Sequence, residues 1–116
     1  MTNNFPDDDN GEVLRRMQSH GDDLTLPRDI DFSVLFKSRE GAEQFCNYFS
    51  KRGFVSKIKS PSYSPAYPWD TPVVNHMVPT HAAITAFEDE LERIAAPLGG
   101  KNDGWGSISQ PPPLKH

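Results

Sequence analysis

The side chains of this sequence most able to bind a metal or move a proton are four histidines and one cysteine. His76 and His81 stand five residues apart, and no histidine has a second ligand at the spacing of a metal-binding motif. Cys46 lies on an apolar helical stripe, which predicts a buried, unreactive thiol. We therefore predict no catalytic residue, no bound metal and no cofactor.

Charged residues are distributed unevenly along the chain. The acidic cluster at 88–92 falls at helical spacing, so its carboxylates spread around a helix and favour a solvated face over a metal site. Residues 37–59 are basic, with Lys51, Arg52, Lys57 and Lys59 near the end of that segment. This asymmetry could orient a charged partner, and the basic edge is the feature that an RNA-binding protein would use.

The most distinctive local pattern is Asn102-Asp103-Gly104-Trp105-Gly106, in which a glycine stands on each side of a tryptophan. Glycine leaves the backbone free to turn beside a large ring. The pattern favours a turn that enters a final strand, with Trp105 closing the core. The alternative is an exposed aromatic anchor for a partner.

Apolar periodicity predicts the elements that would position these residues. Helical spacing with capping residues predicts helices at about 10–20, 38–52 and 80–98. Period-two alternation predicts strands at 28–37, 54–59 and 73–78, and a short fourth strand at 105–109. The Pro/Tyr/Ser-rich stretch at 60–72 is typical of a long turn.

After the first helix this order is β-α-β-β-α-β, which predicts an α+β, ferredoxin-like sandwich. A four-stranded antiparallel sheet would carry two helices on one face, and the first helix would be an addition. The strand residues Ile30, Phe32, Val34 and Phe36 should point at the helices. The other sheet face should meet solvent or a partner.

The 116-residue length fits one domain, and the net charge of −4 gives no global attraction to nucleic acid. We expect a flexible acidic segment at 1–9, a single regulator domain at 10–109 and a flexible proline-rich tail at 110–116. No apolar run is long enough to span a membrane, and one cysteine cannot form an internal disulfide. These features favour the cytoplasm.

Three motifs of the sequence resemble one known family. They are Gly21-Asp22-Asp23-Leu24, Pro27-Arg28-Asp29-Ile30-Asp31-Phe32 and Gly100-Lys101-Asn102-Asp103-Gly104-Trp105-Gly106. Together they are similar to the RraB-type regulators of ribonuclease E, over roughly residues 11–108. The Asp-Gly-Trp-Gly pattern is the most specific part.

The resemblance implies a bacterial, cytoplasmic protein that binds ribonuclease E or another degradosome component and inhibits or redirects RNA cleavage. The candidate partner-binding or family-motif residues that the resemblance implies are Asp22, Asp23, Arg28, Asp103, Gly104, Trp105 and Gly106. The best-studied type of the family is strongly acidic, whereas this chain carries only −4 and ends in Pro-Pro-Pro-Leu-Lys-His.

The sequence can be compared with three classes of function. The protein-binding regulator follows from the resemblance and fits the predicted lack of catalytic residues. A small RNA-binding module would use the basic edge at Lys51–Lys59, although direct nucleic-acid binding is the weaker reading at this net charge. An enzyme would need a nucleophile, a base and an orienting group within reach of one another, and the sequence offers no such set.

Overall fold

The computed structural model describes residues 5–107, which form three α-helices and a five-stranded antiparallel sheet. The helices are α1 (Asp9–Ser19), α2 (Arg39–Lys51) and α3 (His81–Ala95), and a 3-10 turn (Ala96–Leu98) follows α3. The strands are β1 (Arg28–Phe36), β2 (Val55–Ser56), β3 (Trp69–Asp70), β4 (Val73–Met77) and β5 (Gly100–Ser107). The predicted α+β class is confirmed.

Strand β1 lies at the centre of the sheet and pairs with three others. Its first half, Arg28–Phe32, pairs with β4, and its end, Leu35–Phe36, pairs with β3. Strand β5 pairs with β1 over 30–36, and β2 adds to β4. Every pairing is antiparallel.

The sheet differs from the predicted four strands at three places. Strand β3 lies inside the stretch expected to be one long turn, and Thr71 and Pro72 separate it from β4. Strand β2 is only two residues long rather than six. Strand β5 begins at Gly100, five residues before the predicted start, and residues 108–109 of that prediction lie outside the described residues.

The core lies between the sheet and the helices. Ile30, Phe32, Val34 and Phe36 are at most 1% exposed, as the alternation of β1 predicts. The ring of Phe32 meets Phe87 of α3 edge to face at 4.8 Å, and Phe36 meets Phe45 of α2 at 4.9 Å. Burial of such side chains stabilises the fold by about 1.5–3 kcal/mol each, so this layer fixes where α2 and α3 lie on the sheet.

Each helix begins at a side chain that caps it. Ser38 accepts from the Gly41 N–H before α2, and Thr80 accepts from the Ala83 N–H before α3, as predicted. Helix α1 begins one residue earlier than expected, because Asp8 rather than Asp9 accepts from the Gly11 N–H at 2.8 Å. The caps fix the N-terminal ends of all three helices.

The sheet face opposite the helices is partly covered, whereas the sequence suggested an open face. Leu35 is fully buried, although alternation points it away from the core residue Val34. The loop at 60–68 lies over this end of the face: the Tyr67 ring is 5.5 Å from Lys37 Nζ and 4.5 Å from Lys101 Nζ. The Tyr67 ring of this loop therefore lies beside Lys37, just after β1, and beside Lys101 of β5.

Among residues 5–107, none of the helices combines the length and apolar character that crossing a bilayer requires.

Candidate functional site

The glycine–tryptophan pattern lies within β5 and not in a turn before it. Trp105 pairs with Phe32 and Asn102 pairs with Val34, so the register shifts between these two pairs. Gly104 has φ +95°, a left-handed conformation that side chains with a Cβ rarely adopt. In place of the predicted turn, the structure therefore has an irregularity inside β5. The side chains on either side of Gly104 do not follow the regular alternation of a strand.

Trp105 is half-buried and joins three elements. Its ring packs against the core, and its indole N–H donates to Asn10 Oδ1 of α1 at 2.9 Å. Asn10 in turn donates through Nδ2 to Thr85 Oγ1 at 3.1 Å and to Glu88 Oε1 at 2.7 Å, both on α3. One asparagine thus links the motif tryptophan to two helices.

Asn102 fixes the other end of the motif to α3. Its Nδ2 donates to the backbone oxygen of Glu88 at 2.9 Å. Its Oδ1 is a buried atom without a hydrogen-bond partner among the described residues. A buried acceptor in this state costs free energy unless it gains a donor.

These residues border a groove of about 480 Å³ between the start of α1, the middle of α3 and β5, which we call the Trp105 groove. Its lining residues are Asp8, Asp9, Asn10, Val13, Thr85, Glu88, Asn102, Gly104 and Trp105. Among the described residues, the lining contains three carboxylates and no lysine or arginine. It therefore combines an aromatic and apolar wall with negative charge.

Asp8 is occupied by contacts within the protein. Besides capping α1, it lies 2.9 Å from His81 Nε2 at the start of α3. The Gly11 N–H and, after it, the bond to His81 lower the pKa of the Asp8 carboxyl. Asp8 is therefore ionised at neutral pH and holds the N-terminal ends of α1 and α3 together.

Asp103 and Gly106 do not line the groove. Asp103 accepts from the Tyr63 hydroxyl at 2.6 Å, and this bond raises the pKa of Tyr63. The bond ties the covering loop to β5. Gly106 is exposed, and a Cβ at that position would meet no atom within 4 Å.

The other three predicted site residues form a separate clamp at the far end of α1. Arg28 Nη1 donates to Asp22 Oδ2 at 2.7 Å, and the two side chains are 2% and 1% exposed. Arg28 Nη2 also donates to the Asp23 backbone oxygen at 2.8 Å, and the Asp23 carboxylate accepts from Thr25. These contacts fold residues 22–28 between α1 and β1.

Of the seven predicted residues, Gly104 and Trp105 lie together in the groove, while Asp103, Gly106 and the clamp lie elsewhere. Sequence reasoning missed Asn10, Thr85 and Glu88 as groove residues. Glu88 was assigned to a solvated acidic face, and no spacing within the sequence relates Asn10 to Trp105, 95 positions away. The signal that pointed to the groove was the tryptophan itself.

The remaining candidates for chemistry are tied to structural partners. No group of three or more metal-ligating side chains comes together among residues 5–107. His76 Nδ1 is 2.8 Å from Asp29 Oδ1 on the open part of the sheet. Cys46 is half-buried, and its Sγ donates to the Ser56 carbonyl oxygen.

An internal contact also reduces the positive charge that the basic edge can offer to a ligand. Arg52 pairs with Glu90 of α3 and lies over the Tyr48 ring, whereas Lys51, Lys57 and Lys59 stay exposed. The bond to Glu90 raises the pKa of Arg52. Arg52 therefore serves first to join α2 to α3.

Comparison with known proteins places this α+β domain in a class of regulators. Residues 7–107 match the family model described as regulator of ribonuclease activity B, RraB. This range includes the groove, the clamp and every strand, so the chain belongs to the RraB family. No curated protein matches the chain.

Proposed function

We propose that this protein is a non-catalytic regulator that acts by binding a protein partner of the RNA-degradation machinery, with ribonuclease E as the first candidate. The observation that carries the proposal is the family match over residues 7–107. The arrangement of the motif supports it, because Gly104 and Trp105 line a groove while their neighbours tie β5 to the rest of the fold.

The Trp105 groove is the surface we propose for this contact. Binding interfaces depend on a few aromatic or charged residues set in pockets, and a half-buried tryptophan in a preformed groove has that character. The bond from its indole to Asn10 holds the ring in place before any partner arrives. A fixed ring loses little conformational entropy on binding.

The clamp formed by Asp22 and Arg28 supports the function indirectly. Its side chains are too deeply buried to meet a partner. We propose that it holds residues 22–28 so that α1 stays docked against the sheet, with its N-terminal end at the groove.

RNA binding by the basic edge is the alternative. Lys51, Lys57, Lys59 and Arg52 of that edge are all exposed, but the Arg52 charge is paired with Glu90. Phosphate contacts release counterions, so an RNA complex would weaken steeply as salt rises. A protein interface with an aromatic anchor would weaken less.

The test measures binding of the immobilised full chain to purified ribonuclease E and to a single-stranded RNA, each at low and moderate salt. We expect ribonuclease E to bind at both salt concentrations. A Lys57→Gln/Lys59→Gln variant serves as the control and should bind the nuclease normally. Retention of RNA alone, with loss in that variant, would overturn the proposal in favour of the alternative.

We also propose the ferredoxin-like arrangement for the fold. In the sheet, β5 lies beside β1, β1 lies beside β3 and β4, and β4 lies beside β2. This order supports the ferredoxin-like arrangement if β3 and β4 are counted as one strand that is interrupted at Thr71–Pro72. We likewise propose a cytoplasmic location and a single regulator domain that spans residues 10–109.

A further inference from the structure

The Trp105 groove carries charge of one sign. Asp8, Asp9 and Glu88 line it, and no lysine or arginine within residues 5–107 does. Asp8 is already bonded to Gly11 and His81, so it has the least capacity for a ligand. Asp9 is exposed in the first turn of α1, and Glu88 uses Oε1 for Asn10. A carboxylate has about four acceptor positions, so both Asp9 and Glu88 can accept further donors.

The wall beside these carboxylates is aromatic. The Trp105 ring and the Val13 side chain line the groove. Among residues 5–107, the rings with a cation over them are Tyr48, Phe49, Tyr67 and Trp69, so no lysine or arginine of this range lies over Trp105. A tryptophan face attracts a cation more strongly than the other aromatic rings do.

From these contacts we infer that the Trp105 groove binds an arginine side chain on a segment of the protein partner. The guanidinium packs on Trp105 and donates to Asp9 and Glu88. This inference rests on the proposed function and adds to it the chemistry of the partner's binding segment.

Arginine fits the groove better than lysine or phosphate does. Its planar guanidinium can stack on an indole and at the same time donate two parallel bonds to a carboxylate. An ammonium is more strongly hydrated and donates as a point charge. A phosphate, and with it an RNA backbone, would be repelled by the three carboxylates.

The first measurement uses the full chain labelled with ¹⁵N and an arginine probe, the peptide acetyl-Gly-Arg-Gly-amide. We expect the Trp105 indole N–H resonance to shift in a saturable way, while the Trp69 indole resonance stays in place. The same peptide with lysine should cause a shift at least several-fold weaker, and inorganic phosphate should cause none. No shift of the Trp105 indole with the arginine peptide, or an equal shift with phosphate, would overturn the inference.

The second measurement uses ribonuclease E and the variant Asp9→Asn/Glu88→Gln. Both changes keep the side-chain shape, and the glutamine oxygen can still accept from Asn10, so the groove should stay folded. We expect the dissociation constant to rise at least tenfold, whereas the control Glu43→Gln on the exposed side of α2 should leave it unchanged. Normal binding of the variant would overturn the inference and leave the proposed function standing.

The two measurements separate the two proposals. If ribonuclease E does not bind but the arginine peptide shifts Trp105, the groove assignment is supported and the proposed partner is wrong. If ribonuclease E binds, the arginine peptide shifts nothing and the variant binds normally, the regulator function is supported and the groove assignment is wrong.

Discussion

Arg28 and Asp22 form an ion pair at 2.7 Å in which both side chains are almost completely buried. The pair connects the segment after α1 to the first residue of the central strand. Arg28 also donates to the backbone oxygens of Asp23 and Leu26. One guanidinium therefore supplies the hydrogen bonds that water would otherwise give to these oxygens and to the Asp22 carboxylate. A contact of this kind holds a loop in a single conformation.

Replacing Arg28 with methionine should destabilise the protein by about 3–5 kcal/mol, because the change removes the buried cation beside the Asp22 carboxylate and the guanidinium bonds to the Asp23 and Leu26 backbone oxygens. The free energy of unfolding in urea measures this. The matched control is Arg39→Met, which removes the exposed pair with Glu43 and should cost less than about 1 kcal/mol. An Arg28→Met loss as small as that of the control would show that the clamp is not structural.

The bond between Trp105 and Asn10 can be measured by a double-mutant cycle. Trp105→Phe keeps a ring but removes the N–H, and Asn10→Ala removes the acceptor. We expect a coupling energy of roughly 0.5–1.5 kcal/mol in urea unfolding, the range of a hydrogen bond between neutral groups. Trp69→Phe with Asn10→Ala is the control pair and should show no coupling; equal coupling in both cycles would contradict the assigned bond.

The two glycines beside Trp105 should respond differently to alanine. Gly104→Ala should lower the free energy of unfolding by about 1–2 kcal/mol, because its φ of +95° is strained for any residue with a Cβ. Gly106→Ala should change it by less than about 0.5 kcal/mol, since the added Cβ meets nothing within 4 Å. Equal losses at both positions would contradict the described shape of β5.

Asp8 should contribute to the acid sensitivity of the protein. Its pKa in the folded state lies below the ordinary value of 3.8, so its stabilising effect is present above that value and is lost as the pH falls through the lower folded-state value. Asp8→Asn can still accept from the Gly11 N–H at every pH, so its urea midpoint should fall less than that of the natural protein between pH 5 and 3. An unchanged pH dependence in the variant would count against this role.

Local patterns predicted the elements whose signals lie within a few residues of one another. The alternation of Ile30, Phe32, Val34 and Phe36 and the capping residues Ser38 and Thr80 predicted β1, α2 and α3 correctly. Strand β3 was missed, because Trp69 and Asp70 stand among prolines and are strand residues only through their pairing with β1. The predicted length of β2 was wrong, because Val55 and Ser56 pair with β4 whereas Lys59 forms only an isolated bridge to Asp70 of β3.

The candidate site could be predicted only in part, because only some of its signals lie close together in the sequence. The tryptophan pattern was visible in the sequence, and it marked the residue that forms one wall of the groove. The bonds from Asn10 to Trp105 and Glu88 depend on how α1 packs against α3, which no local spacing encodes. The burial of Arg28 with Asp22 likewise depends on how the segment after α1 packs against β1.

Regulation of a ribonuclease by direct binding is the function we propose for this protein. The most direct test measures the initial rate of cleavage of a single-stranded RNA by purified ribonuclease E as the full chain is added to saturation. We expect that the rate changes and then levels off, and that excess uncleavable RNA does not restore it. An unchanged rate at saturating protein, or full restoration by the added RNA, would contradict it.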